Sequence, residues 1–246
     1  MYDLFQPRSK LAIAIVFSVF FLCHSPFYRG EHLVCADLNL TETIMSYSQF
    51  TTIAKVKEAF GLTTVEGVRF LPQIEPIAPS PILQGLLETN IPWAIATSTE
   101  KARSEAIINP VLLEVRRICD RQISVFSGEE FNVDPALGLN GICDFLISLS
   151  PKQLEVEAPA IVVVEAKKED LKVGWGQCIA EMVAGQRFNE NKGKPVKAIY
   201  GVVSSGTQWR FLQLQGTTVT VDLTDYPLPP VEQILGILVW MVRQGE

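Results

Sequence analysis

The order of periodic segments predicts an α/β protein of the α+β kind, a mixed central sheet flanked by helices. Two observations carry that expectation. Short apolar runs bounded by turn residues recur at 122–126, 141–148, 160–167, 197–204, 207–214 and 217–223. Helical stretches with three-and-four apolar spacing separate and follow them, at 97–119, 176–189 and 231–242.

Taken in order, a polar cap at Ser48 followed by Phe50, Ile53, Val56, Ala59 and Phe60 predicts a short amphipathic helix, ended by Gly61 in a left-handed conformation. Prolines 72, 76, 79, 81 and 92 then punctuate an irregular stretch, and Val68, Phe70, Leu71, Ile74 and Ile77 within it predict packing over the main domain. Residues 46–95 are therefore read as an N-terminal extension and 96–246 as the main domain. Thr97 with Glu100 three residues on forms a capping box that opens a helical stretch reaching about Cys119. Pro110 interrupts it, with Asn109 as a second cap, so a kinked helix or two helices end to end are expected. The strands at 197–204, 207–214 and 217–223 read as a meander turned by Ser205-Gly206 and Gln215-Gly216. Ile234, Leu235, Ile237, Leu238, Val239 and Trp240 make the last helix apolar on most sides, hence buried.

Composition narrows the chemistry. Of 246 residues 48% are hydrophobic and 20% charged, and the 16 glycines and 15 prolines are ordinary, which excludes overall disorder and fibrous classes. A net charge of −6 supplies no global attraction to nucleic acid, so any such binding needs a local basic patch. The 5 cysteines are irregularly spaced with no C-x-x-C, which describes neither a disulfide framework nor a zinc knuckle. Both histidines, His24 and His32, precede the main body, which removes Ser-His and Cys-His triads and H-E-x-x-H zinc chemistry from it. Gly174-Trp175-Gly176 and Gly193-Lys194-Pro195 complete neither a dinucleotide fingerprint nor a phosphate loop.

Arg8 and Lys10 precede an apolar run from Leu11 to Cys23, about a third shorter than the ~20 residues a spanning helix needs. With Val34-Cys35-Ala36 as a cleavage site it reads as a secretory leader. The favoured reading is a start at Met45 or a dispensable leader, because capping and motif-bearing sequence begins just after Met45 and the body carries an odd number of cysteines, Cys119, Cys143 and Cys178. A cytoplasmic location follows, with export or membrane association the consequence if the leader is genuine.

Three residues break the strand pattern. Asp144 interrupts GICDFLIS, and Glu165 and Lys167 end IVVVEAK, although all three types are depleted from strands. Glu165 and Lys167, two apart, share a face. If the Asp144 strand pairs alongside, two carboxylates meet there and require a divalent cation to offset their repulsion. Their hard oxygens suit Mg²⁺ or Mn²⁺. A hard metal, an activated water and a lysine without histidine describe metal-assisted phosphodiester hydrolysis.

Together these segments, Glu105-Ala106-Ile107-Ile108-Asn109-Pro110, Gly141-Ile142-Cys143-Asp144-Phe145 and Val163-Val164-Glu165-Ala166-Lys167-Lys168, resemble the PD-(D/E)XK nuclease superfamily. The likeness spans roughly residues 97–215 and is nearest to the N-terminal nuclease domain of type I restriction enzyme motor subunits and small stand-alone relatives. The resemblance implies a restriction-endonuclease-like fold, metal held by Asp144, Glu165, the Ala166 carbonyl and a helix acid, and Lys167 acting on the attacking water. Glu105 is the favoured helix acid, with Glu100 and Glu114 as alternatives. Gln177 matches a glutamine that contacts DNA or water, but Glu181 stands four residues later where the restriction-enzyme pattern has tyrosine. Nucleic acid, with DNA ahead of RNA, is the implied partner; a homodimer is left open, and no stable membrane partner is expected.

Blander readings stand beside these. E-A-K-K-E-D-L-K is good helix-forming sequence, so the strand could end at Val164. Lys167, Lys168, Lys172, Arg187, Lys192, Lys194 and Lys197 form either a phosphate-binding face or an ordinary solvated one. Trp175, Tyr200, Trp209 and Phe211 are read as core more than as base-stacking platforms, and Cys119, Cys143 and Cys178 as small hydrophobes. A catalytically inactive nuclease-like nucleic-acid-binding or accessory protein is the alternative function.

Overall fold

The computed structural model describes residues 46–245; the apolar leader, the Met45 start and both histidines lie outside the described residues. An eight-stranded mixed sheet forms the centre. Its strands are β1 (Thr63–Glu66), β2 (Ser124–Glu130), β3 (Ile142–Ser148), β4 (Ala160–Ala166), β5 (Ile199–Ser204), β6 (Gln208–Gln215), β7 (Thr218–Val221) and β8 (Tyr226–Pro227). The order is β1-β7-β6-β5-β4-β3-β2, with β8 paired to β6. Only β4/β5 and β1/β7 run parallel, and β5–β6–β7 form the expected meander.

Helices α1 (Ile53–Phe60), α2 (Pro81–Thr97), α3 (Glu100–Arg103), α4 (Asn109–Ile118), α5 (Trp175–Asn191) and α6 (Glu232–Arg243) cover the sheet. Two apolar layers result. One face packs Val162, Val164, Tyr200, Val202 and Phe211 against α2, α4 and α6. The other packs Leu146, Val163, Ile199, Val203 and Leu212 against α1 and α5. This division follows from period-2 alternation: successive residues of β4 and β5 serve opposite layers, so both strands read as continuous apolar runs. Strand β4 continues through Ala166, which excludes a helical turn starting at Val164. Because β4 and β5 are parallel, the chain must cross over between them, and α5 is that crossover.

The N-terminal part differs from its sequence reading at three points. The first α-helix begins at Ile53, capped by Thr52 Oγ1 accepting from Lys55 N at 3.3 Å, while Tyr47–Gln49 form a 3₁₀ turn. Gly61 closes it at φ 63°, as expected. Residues 81–97, read as irregular, form α2: Pro81 occupies the first turn, where no N–H is missed, and Ser80 caps it. Strand β1 extends the sheet beside β7, and the irregular stretch between β1 and α2 packs on α6 through Ile77 N donating to Glu232 O at 3.0 Å.

The helical stretch through Pro110 opens two residues later than the sequence suggested. Thr97 ends α2, and Thr99 is the cap, accepting from Ala102 N at 3.1 Å. Between α3 and α4 lies a π turn, Ser104–Ile108. Pro110 has no N–H for the Ala106 carbonyl four residues back, and Asn90 Nδ2 fills that place at 3.0 Å. Asn109 is itself helical at φ −56° and stands inside the helix instead of capping a second one.

Glu114 is buried on α4, where its carboxylate accepts from Ser80 N (2.7 Å), Ser80 Oγ (3.0 Å) and Arg117. It anchors the start of α2 and lies away from the chemistry. Arg117, ahead of the opposing effect of burial, holds the Glu114 carboxyl below its ordinary value. Glu114→Ala is expected to lower unfolding free energy by about 3 kcal/mol in chemical denaturation at neutral pH. A depressed folded value makes the charge-dependent part of this contribution full above the unfolded pKa of about 4.3 and lost as pH falls through the lower folded one.

Candidate active site

Strands β3 and β4 pair as far as Phe145↔Val164, and Asp144 and Glu165 are the next residues along each strand, where the paired register ends. There the Asp144 carboxylate takes over the bond a β3 carbonyl would accept: Asp144 Oδ2 accepts from Ala166 N at 2.8 Å. Lys167 N donates to Ser204 O on β5 at 2.8 Å, which prolongs the β4 backbone one residue past the strand. The Lys167 ammonium donates to Glu165 Oε1 in a tight ion pair. The three residues singled out by the broken strand pattern are thus brought together.

Glu165 is fully buried, and its Oε2 has no hydrogen-bond partner. Burial, then the charge of Asp144, push its carboxyl up to about 8 despite Lys167. Burial likewise raises Asp144, against the Ala166 N–H and Lys167. For Lys167, burial works against the charge but is outweighed by Glu165, Glu100 and Asp144, so the ammonium is held above its ordinary value.

Beside this group a cavity of about 210 Å³ is lined by Glu100, Lys101, Ser104, Glu105, Asp144 and Ala166, together with Ser127 and Gly128. The π turn brings Ser104 and Glu105 to its wall. Glu105 is 62% exposed and paired to Lys101 at 2.5 Å; of the two helix acids, Glu100 is the one whose charge reaches Glu165 and Lys167. Helix α3 is seated by Arg103, whose guanidinium donates to Ser205 O at 3.0 Å, next to the residue that holds Lys167 N. Across the sheet, Gly128 of β2 falls opposite Asp144 at φ 66°, with open space where a side chain would be.

Gln177 lies half-buried in the first turn of α5 and donates from Nε2 to Glu181 Oε1 at 3.1 Å. Glu181 is fully buried, its Oε2 is unpartnered, and burial followed by the Glu165 charge holds its carboxyl well above the ordinary value. Sequence reasoning noted Glu181 only as a departure from a pattern. Its signal was an acid at a core spacing, among Cys178, Met182 and Gly185.

The glycines of Gly174-Trp175-Gly176 are packing devices. A Cβ on Gly174 would stand 2.8 Å from Val203 Cγ1 and 3.1 Å from both Glu165 Cγ and Lys167 Cγ. One on Gly176 would collide with the backbone of Phe50 and Thr52, so α5 can lie against both the site and the N-terminal segment only without side chains there.

The basic segment divides. Lys168 and Lys172 are exposed near the site, whereas Arg187 pairs with Asp134 at 2.9 Å and Lys194 donates to Ala158 O, at the far end of a helix about 25 Å long. Tyr200, Trp209 and Phe211 are core; Trp175 is half-buried under the Arg210 guanidinium, 5.8 Å from its ring centre. Cys143 and Cys178 are buried thiols, and Cys119 is partly exposed.

Among the described residues no three acidic, thiol or imidazole side chains converge as a ready-made metal cluster. The donor set nevertheless fits a hard cation that keeps several waters: two carboxylates, a backbone carbonyl at Ala166, and a buried Glu165 oxygen with nothing bound to it. No helix among the described residues is long and apolar enough to cross a membrane. No family model matches the chain, and no curated protein matches it.

Gly176→Ala is expected to lower stability by about 1–3 kcal/mol and to speed tryptic cleavage at Lys55 and Lys57, because Phe50–Thr52 must lift from α5; wild-type cleavage kinetics would refute the close packing.

Proposed function

We propose that the protein is a metal-dependent nuclease of the PD-(D/E)XK type, hydrolysing phosphodiester bonds of nucleic acid, with DNA the favoured substrate. The observation that carries this reading is the meeting of Asp144, Glu165 and Lys167 at one end of the β3/β4 pair, beside an open cavity. Asp144, Glu165 and the Ala166 carbonyl would hold Mg²⁺ or Mn²⁺, which supplies a polarised phosphoryl oxygen and an acidified water.

The chain's own groups do the rest. The Ala166 N–H fixes the Asp144 carboxylate so that its second oxygen is left for a ligand. Burial keeps water away from Glu165 and strengthens every charge–charge interaction at the site. Lys167, held as an ammonium, orients the attacking water and offsets the negative charge that builds on the phosphorus centre. Lys101, Lys168 and Lys172, all exposed, supply the local positive charge that an acidic protein needs to approach a phosphate backbone.

A second reading, a catalytically inactive nuclease-like binding or accessory protein, draws on the same ion pairs: with Lys167 held by Glu165 and Lys101 by Glu105, the scaffold can bind without cutting.

Supercoiled plasmid incubated with the protein and Mg²⁺ or Mn²⁺ is expected to be nicked or linearised, and the activity to vanish with a chelator. Lys167→Ala and Asp144→Asn should each reduce the rate at least about a hundredfold while circular dichroism shows the fold retained. Tight Mn²⁺ binding without cleavage of any single- or double-stranded DNA or RNA would sink the enzyme and leave the second reading.

A further inference from the structure

The row of the sheet that carries Glu165 also carries a second cation. Glu165 on β4 stands beside Val203 on β5, and Val203 beside Arg210 on β6. The three therefore share one row and one face, the face that α5 covers. Two strand spacings of about 4.8 Å put the Arg210 backbone about 9–10 Å from that of Glu165. Gly174 lies over the middle of the row, where a Cβ would stand 2.8 Å from Val203 Cγ1 and 3.1 Å from both Glu165 Cγ and Lys167 Cγ. Trp175, the next residue, lies under the Arg210 guanidinium, 5.8 Å from ring centre to cation. Lys167 and Arg210 thus flank the start of α5.

The ion pair that holds Arg210 is a loose one. Nε and Nη2 both donate to a single oxygen, Asp225 Oδ1, at 2.9 and 2.7 Å, and Nη1 stands outside that contact. Asp225 is 58% exposed, on the segment between β7 and β8. A carboxylate so well solvated holds a guanidinium weakly, whereas a phosphate offers two oxygens to the planar fork. The Trp175 ring attracts the cation without neutralising it. Arg210 therefore sits on the row of the site as a charge that an incoming anion can claim.

Resting on the nuclease reading for what is bound, we propose that Arg210 is a substrate-binding residue that grips a phosphate of the nucleic-acid strand away from the scissile one, exchanging Asp225 for it. Along one strand each nucleotide rises about 3.4 Å, so the span from Glu165 to Arg210 corresponds to about two to three nucleotides. The substrate class follows from that span. A polynucleotide is held at two points, at the site and at Arg210, and a small phosphodiester only at one. Asp225 is the latch that occupies the guanidinium when no strand is present.

The test uses the full chain with Arg210→Gln, Arg210→Lys and Asp225→Asn, each checked for folding by circular dichroism. Binding of fluorescein-labelled DNA and RNA oligonucleotides, single- and double-stranded, is followed by anisotropy with Ca²⁺ across a salt series. Arg210→Gln is expected to weaken binding roughly tenfold and to lower the slope of log Kd against log salt by about 0.7–0.9, the share of one phosphate contact. Arg210→Lys keeps the charge and should restore the slope. Asp225→Asn releases the guanidinium and should tighten binding a few-fold. In Mn²⁺-dependent plasmid cleavage Arg210→Gln should raise KM about tenfold. The ratio of kcat/KM for plasmid to that for bis-(p-nitrophenyl) phosphate, which has no second phosphate, should fall by a similar factor. An ion pair serving stability alone makes Arg210→Gln and Asp225→Asn act alike. That outcome, an unchanged salt slope in Arg210→Gln, an unchanged substrate ratio, or no binding of any oligonucleotide by wild type would each overturn the proposal. Absence of cleavage by wild type would overturn the nuclease reading, and the salt slopes would still decide whether Arg210 holds a phosphate.

Discussion

Asp144 and Glu165 bring two carboxyls to the end of β4, where the ammonium of Lys167 answers them, and the buried carboxyl of Glu181 on α5 feels their charge. Because Glu165 and Glu181 are withdrawn from water, the surplus is not screened by solvent and must be met by protons, by Lys167 or by a bound cation. This imbalance is the constraint around which the neighbouring structure is organised. The Ala166 N–H turns the Asp144 carboxylate, Ser204 O holds the Lys167 backbone, and Gly174 lets α5 close over both side chains. A folded protein tolerates such a site only where the rest of the core offsets its cost, and here apolar layers on both faces of the sheet do so.

The N-terminal segment belongs to the same construction. Tyr47 is buried, and its hydroxyl donates to Phe131 O at 2.5 Å, tying the first of the described residues to the segment linking β2 and β3. Phe50 and Thr52 lie directly on Gly176, the residue before Gln177. Displacement of this segment therefore loosens the first turn of α5, and with it the lid over Glu165 and Lys167. On the opposite face, the π turn before Pro110 sets Ser104 and Glu105 against the cavity wall, and Asn90 satisfies the carbonyl that the proline leaves open. A local backbone irregularity and a long-range side-chain bond are thus two parts of one solution.

Much of this is legible in the sequence. The buried strands announced themselves as apolar runs, and the polar residues that violated the pattern, Asp144, Glu165 and Lys167, are the ones gathered at one point. Where local rules were balanced, they misplaced boundaries. Thr97 and Thr99 both offer a capping hydroxyl, and α2 extends through Thr97, so the cap falls to Thr99. Five prolines suggested an irregular stretch, yet Pro81 at the first turn and Pro92 within α2 are tolerated because Leu83, Leu87 and Ala94 bury one side of that helix.

What the sequence by itself determined is the set of elements and their buried sides, since alternation and three-and-four spacing are local consequences of strand and helix geometry. It also singled out the acids and the lysine, because charged residues inside apolar strands need a reason. Only the tertiary structure decided that Asp144 accepts from the Ala166 N–H beside Glu165, that β1 completes the sheet beside β7, and that Glu181 is buried. Register and burial depend on contacts between residues far apart in the chain, and no local periodicity encodes them.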